Sequence, residues 1–196
     1  MRKIVLASSS PRRAALFAAI GLKDYEIINP EVDETVVPGF PPEDLVAHWS
    51  RKKAEKVMPK CEPSDIIIGA DTVVWHGGRI LGKPADARQA AEMLRSISGD
   101  WHSVYTGVTV SQDGKMKTEI EVTGVLIRSL TQEQIESYVA CGESLDKAGA
   151  YGIQGRGALL CERLDGDYYN VMGMPLYRLS HLLADYGLDL LVSCDP

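Results

Sequence analysis

Short apolar, β-branched runs alternate along this chain with amphipathic stretches of helical period, the pattern of a mixed α/β protein. Lys3 to Ala7 predicts a buried strand, and a helix follows at once. Ser10 stands at its N-cap, Pro11 at its first position, Ala14 to Ile20 form its apolar face, and Gly21 stops it. Tyr25 to Asn29 predicts a second strand and Val32 to Pro42 a loop. Glu43 to Met58 predicts a helix with Val46, Trp49, Lys53 and Val57 on one face. Ile66 to Trp75 predicts a strand broken at Gly69-Ala70-Asp71, and Gly77-Gly78 turns it into Arg79 to Gly82. Asp86 caps a helix that buries Ala90, Met93, Leu94 and Ile97 and ends at Gly99. Trp101 to Val110 and Lys115 to Arg128 predict a long hairpin about Asp113-Gly114. Thr131 with Gln134 makes a capping box for a helix running to Gly142. Gly142 to Gly157 predicts a glycine-rich loop, followed by a second hairpin from Ala158 to Leu164 and Tyr168 to Met172 about Asp165-Gly166. Pro175 opens a last helix with Leu176, Leu179, Leu183 and Tyr186 inward, ended by Gly187. Several hairpins predict a mixed rather than a purely parallel sheet.

Composition narrows the class. The 196 residues, 45% hydrophobic and 24% charged, suit one domain or two small lobes sharing a core. At this size about 70% of the unfolded surface can be buried without a disulfide or metal staple. Twenty-one Lys and Arg against 27 Asp and Glu give a net charge of -6, which argues against general binding to a nucleic acid polymer. Cys61, Cys141, Cys161 and Cys194 show no CxxC spacing, so a reducing, cytoplasmic location is expected. The apolar run after Arg2-Lys3 is too short for a signal peptide, and no stretch predicts a membrane span.

The candidate chemistry starts where the first strand hands over to its helix. Ser8-Ser9-Ser10-Pro11-Arg12-Arg13 combines free helix-end N–H groups, hydroxyls and two guanidinium groups, all suited to an anion such as phosphate. An ordinary capped helix with two solvated arginines is the plainer alternative. Gly77-x4-Gly82-Lys83-Pro84 nearly matches a Walker A loop, but Pro84 replaces the Mg²⁺-binding hydroxyl and no helix follows Lys83 directly. Lys83 is then a lone cation near a site. Asp71 ends an apolar run, where an unpaired carboxylate is costly, so it caps a turn, pairs with a cation or binds a metal. Lys53, on an apolar helix face, poses the same question, with snorkelling to solvent as the bland answer. Asp33-Glu34 and Asp146-Lys147 read as solvated loop charges. His48, His76, His102 and His181 show no ligand spacing, so any metal is expected to be a hard, oxygen-bound ion such as Mg²⁺ or Mn²⁺. Gln154, in the glycine-rich loop, can donate and accept side by side, the complement of a pyrimidine imide.

Taken together, these segments resemble the Maf family of nucleoside triphosphate pyrophosphatases. The resemblance is carried by Leu6-Ala7-Ser8-Ser9-Ser10-Pro11-Arg12-Arg13, Asp33-Glu34, Lys53-Ala54, Gly69-Ala70-Asp71-Thr72-Val73-Val74 and Gly82-Lys83-Pro84. Thr106-Gly107-Val108, Asp146 to Gly155 and Asn170-Val171-Met172-Gly173-Met174-Pro175 complete it, in the family's order, with Met174 where Leu is commoner. It implies a single Maf-like domain over residues 1–196. The implied fold is a two-lobed, Maf/ITPase-like α/β fold with an elongated mixed sheet flanked by helices and a nucleotide cleft between the lobes. It implies hydrolysis between the α- and β-phosphates, giving a nucleoside monophosphate and pyrophosphate with a divalent cation, Mg²⁺ or Mn²⁺.

Carried over residue by residue, Asp71 is the catalytic proton acceptor, with Lys53 and Lys83 beside it. Ser8, Arg12 and Arg13 complete the phosphate-facing set, and Glu34, with Asp71, is a metal or water ligand. At Arg12, Thr72 and Gln154 the chain resembles the branch preferring dTTP and UTP. The branch preferring 7-methyl-GTP has Trp, Gln and Glu at those places. A homodimer is expected from the family alone. A nucleotide-sensing regulator, tied in some relatives to restraint of septum formation, is the alternative function. The intact Asp71, Glu34, Lys53 and Lys83 set favours the enzyme, because a sensor needs no water-activating carboxylate.

Overall fold

The computed structural model describes residues 2–33 and 40–193, so Glu34 lies outside the described residues. Strand β1 (Ile4–Ala7) runs parallel to β2 (Tyr25–Ile28) on one side and to β3 (Ile66–His76) on the other. From β3 onward the sheet turns antiparallel, through β5 (Trp101–Gln112), β6 (Lys115–Ile127) and β7 (Cys161–Asp165). The short β4 (Arg79–Leu81) folds back on the far end of β3. The order β2-β1-β3-β5-β6-β7 is the mixed sheet expected, with helices on both faces.

Helix α2 (Pro42–Val57) covers one face, against the odd-numbered side chains of β3 such as Ile67 and Val73. The other face carries two cores. Ile66, Ile68 and Ala70 of β3 with Val108 and Val110 of β5 pack under α1 (Pro11–Ala19) and α6 (Leu176–Ala184). Val74 of β3 and Val104 of β5 pack under α3 (Ala87–Ile97) and α4 (Gln132–Ala140). Between the cores, directly opposite each other in register, sit Thr72 and Thr106. Two lobes thus share one sheet and meet at a polar seam.

Local signals explain most boundaries. Asp86 accepts from the Gln89 N–H at the head of α3, and Thr131 and Gln134 close the expected capping box on α4. Three readings need correction. Strand β3 is unbroken at Gly69-Ala70-Asp71, because β5 pairs with it from Ile67 to Trp75. Tyr168 to Met172 is not the second arm of a hairpin. Asp167 accepts from the Tyr169 N–H and starts the one-turn helix α5 (Tyr168–Val171), while β7 pairs with β6 instead. Ser10 occupies the N-cap of α1, but its side chain makes no capping bond. A further short helix, α7 (Leu190–Ser193), follows α6. No helix among the described residues is long and apolar enough to cross a membrane.

Candidate active site

Strand β3 changes neighbours halfway along one edge. Strand β1 accompanies it from Ile66 to Gly69, and β4 joins it only at Val74. Among the described residues no strand pairs with Ala70 to Val73 on that edge. There a cleft of about 1080 Å³ opens, with Asp71 and Thr72 on its floor. The β1–α1 turn forms one wall, and the β4 end with the 143–155 loop forms the other.

Lys53 answers the question that its apolar helix face raised. It does not snorkel. Its Nζ donates to Asp71 Oδ1 at 2.7 Å and to the Ala70 carbonyl at 3.2 Å, with both charged side chains almost wholly buried. Two glycines bring α2 close enough for this. A Cβ at Gly69 would collide with the Ser50 carbonyl, and one at Gly107 with the Val46 carbonyl. With hydrogen there instead, the helix backbone lies directly on β3 and β5.

The paired arginines divide their work. Arg12 is half-exposed and reaches across the cleft, donating from Nη1 to Asp146 Oδ2 at 2.8 Å. Arg13 is buried and turns its donors onto the protein: Nε to the Gly173 carbonyl (2.7 Å), Nη1 to Ser8 Oγ (3.2 Å) and Nη2 to Thr72 Oγ1 (3.1 Å). Ser8, itself buried, also accepts from the Ser10 N–H. Thr72 Oγ1 lies 2.9 Å from Thr106 Oγ1, and Thr106 donates to the Asn170 carbonyl at 3.1 Å. That carbonyl also accepts from the Gly173 N–H at 2.8 Å, which closes a ring of hydrogen bonds back to Arg13.

On the opposite wall Asp146 is exposed, as its reading as a solvated charge expects, but it is paired, and Lys147 is largely withdrawn from solvent. Lys147 Nζ donates to Asp146 Oδ1 (2.6 Å) and to the Glu143 carbonyl (2.7 Å). Burial alone would raise the Asp146 carboxyl, but Lys147 and Arg12 outweigh it and hold it below the usual carboxylate range. The Glu143 carboxylate accepts from the Arg156 and Gly157 N–H groups, which fixes the far end of the loop. Gln154 lines the cleft but is exposed, and its amide makes no hydrogen bond among the described residues. Lys83 stands exposed at the rim, also without a hydrogen bond or ion pair among the described residues.

The structure therefore gathers Ser8, Arg12, Arg13, Lys53, Asp71, Thr72, Lys83 and Gln154 around one cleft. Residue-by-residue reading of the chemistry passed over Glu143, Thr106 and the Asn170 carbonyl. Thr106 and Asn170 entered only within longer motifs, and no local signal marks a buried hydroxyl as a hydrogen-bond relay. Among the described residues no three His, Cys, Asp or Glu converge as a ready metal cage. The described lining nevertheless offers hard oxygen donors, Asp33 and Asp71 among them, and neither Cys nor His. That donor set would suit a hard divalent cation such as Mg²⁺ or Mn²⁺.

A cleft at a strand-edge gap, cationic on both walls above a buried lysine–aspartate pair, defines an α/β protein able to take a polyanion. The chain belongs to the Maf-like protein family, whose model matches residues 3–186. It is 45% identical over 199 residues to a dTTP/UTP pyrophosphatase of Acetivibrio thermocellus, covering 97% of this chain and 98% of that one. It is also 45% identical over 190 residues to a dTTP/UTP pyrophosphatase of Bacillus cereus strain AH820, with the same coverage. Among solved structures, a HAM1 protein from Coxiella burnetii aligns at 16% identity with a TM-score of 0.46, covering 94% of this chain and 100% of that one.

Proposed function

We propose that this chain hydrolyses dTTP and UTP between the α- and β-phosphates, releasing the nucleoside monophosphate and pyrophosphate. The observation that carries this reading is the buried Lys53–Asp71 pair at the floor of a cleft rimmed by Arg12, Lys83 and Lys147. The names of the relatives, shared at 45% identity over nearly the full chain, supply the pyrimidine preference.

A triphosphate brings its negative charge to this cleft, and cations on both walls offset it. Arg12 and Lys83 face the phosphates from opposite walls. Asp71, held by Lys53, orients a water and takes its proton as the oxygen attacks the α-phosphorus. The bond from that phosphorus to the bridging oxygen breaks, and the electron pair leaves with pyrophosphate. When bound, a divalent cation supplies further neutralisation at the phosphate oxygens, with Asp71, Asp33 and Glu34 as the residues that would hold it.

Pyrophosphate release from dTTP, UTP, CTP and purine triphosphates, with Mg²⁺ or Mn²⁺, tests the reading. Fastest release from dTTP and UTP is the expected result. Tight nucleotide binding without release would select the sensor instead.

A further inference from the structure

The ring of hydrogen bonds behind Thr72 admits a single proton order. Arginine only donates, so Arg13 Nη2 gives its proton to Thr72 Oγ1. A carbonyl only accepts, so Thr106 gives its one hydroxyl proton to Asn170. The 2.9 Å bond between the two threonine hydroxyls must then carry the proton of Thr72. Thr106 and Asn170 are 0% exposed, so solvent offers no other partner. Thr72, on the cleft floor, keeps its proton turned inward and meets any ligand only as an acceptor.

That polarity sorts the parts of a nucleotide. Ionised phosphate oxygens are acceptors and cannot bond to this hydroxyl, whereas Arg12, Lys53 and Lys83 suit them. Thr72 therefore belongs to the nucleoside. Uracil and thymine carry a ring N3–H donor, and cytosine carries a bare lone pair at the same place. The Gln154 amide, with no described bond to hold it, can turn to suit either base. The fixed hydroxyl cannot.

We propose that Thr106 is a positioning residue for base selection: by taking the Thr72 proton, it makes Thr72 an obligate acceptor for the imide N–H of uracil or thymine. This rests on the reading of the chain as a dTTP and UTP hydrolase.

The test compares kcat and KM for UTP and CTP in the parent, Thr106→Val and Thr106→Ser. Valine keeps the shape without the hydroxyl, and the Asn170 carbonyl still has the Gly173 N–H. The freed Thr72 proton can then turn toward cytosine. The expected result is a fall in the UTP-to-CTP ratio of kcat/KM by about 5-fold or more, with the parent ratio restored by serine. Should the valine variant fail to fold by thermal melting, Thr106→Ala carries the same test. A folded variant with an unchanged ratio overturns the proposal. So does an equal loss on every triphosphate, the signature of a purely structural role or of a sugar contact. A parent that does not turn over UTP overturns both this proposal and the function it rests on. A parent that prefers UTP, with an unmoved variant ratio, overturns this one alone.

Discussion

Lys53 and Asp71 stand 18 residues apart in sequence and 2.7 Å apart in space, Nζ to Oδ1, with side chains only 5% and 7% exposed. Removing either partner leaves the other charge buried, which costs about 3–5 kcal/mol. Asp71→Asn should lower kcat by about 10²-fold or more, because the proton acceptor is gone. Lys53→Met should destabilise the fold by a similar few kcal/mol. The double variant Lys53→Met/Asp71→Asn should regain most of the stability and none of the turnover. Urea unfolding paired with pyrophosphate release checks this, and activity near the parent's in Asp71→Asn would reduce Asp71 to a structural ion-pair partner.

Arg12 and Arg13 should fail in different ways. Arg12→Ala removes a solvent-accessible pair with Asp146, worth about 0–1 kcal/mol, so Tm should barely move while KM for the triphosphate rises. Arg13→Ala strips a donor from Ser8, Thr72 and the Gly173 carbonyl at once, and should cost about 2 kcal/mol or more. Lysine at 13 cannot reproduce the planar fork and should not rescue it. Equal Tm changes in the two alanine variants would contradict this division.

Gly69→Ala and Gly107→Ala each place a methyl group against a backbone carbonyl of α2. Backbone cannot swing aside as a side chain can, so overpacking should cost about 1–3 kcal/mol and lift Lys53 from Asp71. The expected readout is a lower Tm together with a lower kcat, although neither glycine bears a functional group. Parental kcat in both variants would separate the helix–sheet approach from catalysis.

Patterns written in neighbouring residues were legible before the structure. The capping box of Thr131 and Gln134, the Asp86 cap and the hairpin about Asp113-Gly114 all depend on contacts a few residues long. What failed depends on distant partners. Gly69 resembles a strand breaker until α2 is seen lying on it, and Lys53 resembles a snorkelling lysine until Asp71 is beneath it. Tyr168 to Met172 has the aromatic, β-branched look of a strand, but the Asp167 cap and the pairing of β7 elsewhere decide for a helical turn. Residue chemistry marks Arg12, Lys53, Asp71 and Gln154 as candidates and motif resemblance assigns their roles, but neither gives their partners. The turning inward of Arg13 and the relay through Thr106 are properties of packing.

Stability should also respond to pH through His102, away from the proposed chemistry. Burial, then His76, hold its imidazole down to about 4 from the ordinary 6.5, while Nε2 lies 2.7 Å from the Tyr151 hydroxyl. Between those values the unfolded chain binds a proton that the folded one refuses. The contribution is therefore complete above pH 6.5 and declines as pH falls toward 4, by up to roughly 3 kcal/mol. Urea unfolding at pH 7 and pH 4.5 should show a smaller acid loss for His102→Gln than for the parent. Identical losses would place the acid sensitivity elsewhere.

Chains of hydroxyls in proteins commonly have two nearly equal proton arrangements, and the molecule samples both. The ring through Arg13, Thr72, Thr106, Asn170 and Gly173 has no such degeneracy, since a guanidinium that cannot accept and carbonyls that cannot donate direct both of its arms from Arg13 toward the Asn170 carbonyl. Reversing any one bond would leave a buried acceptor facing an acceptor. The floor of the cleft is therefore a single isomer even when empty, and an arriving nucleoside triphosphate meets a dipole already oriented, with no entropy of proton disorder left to lose.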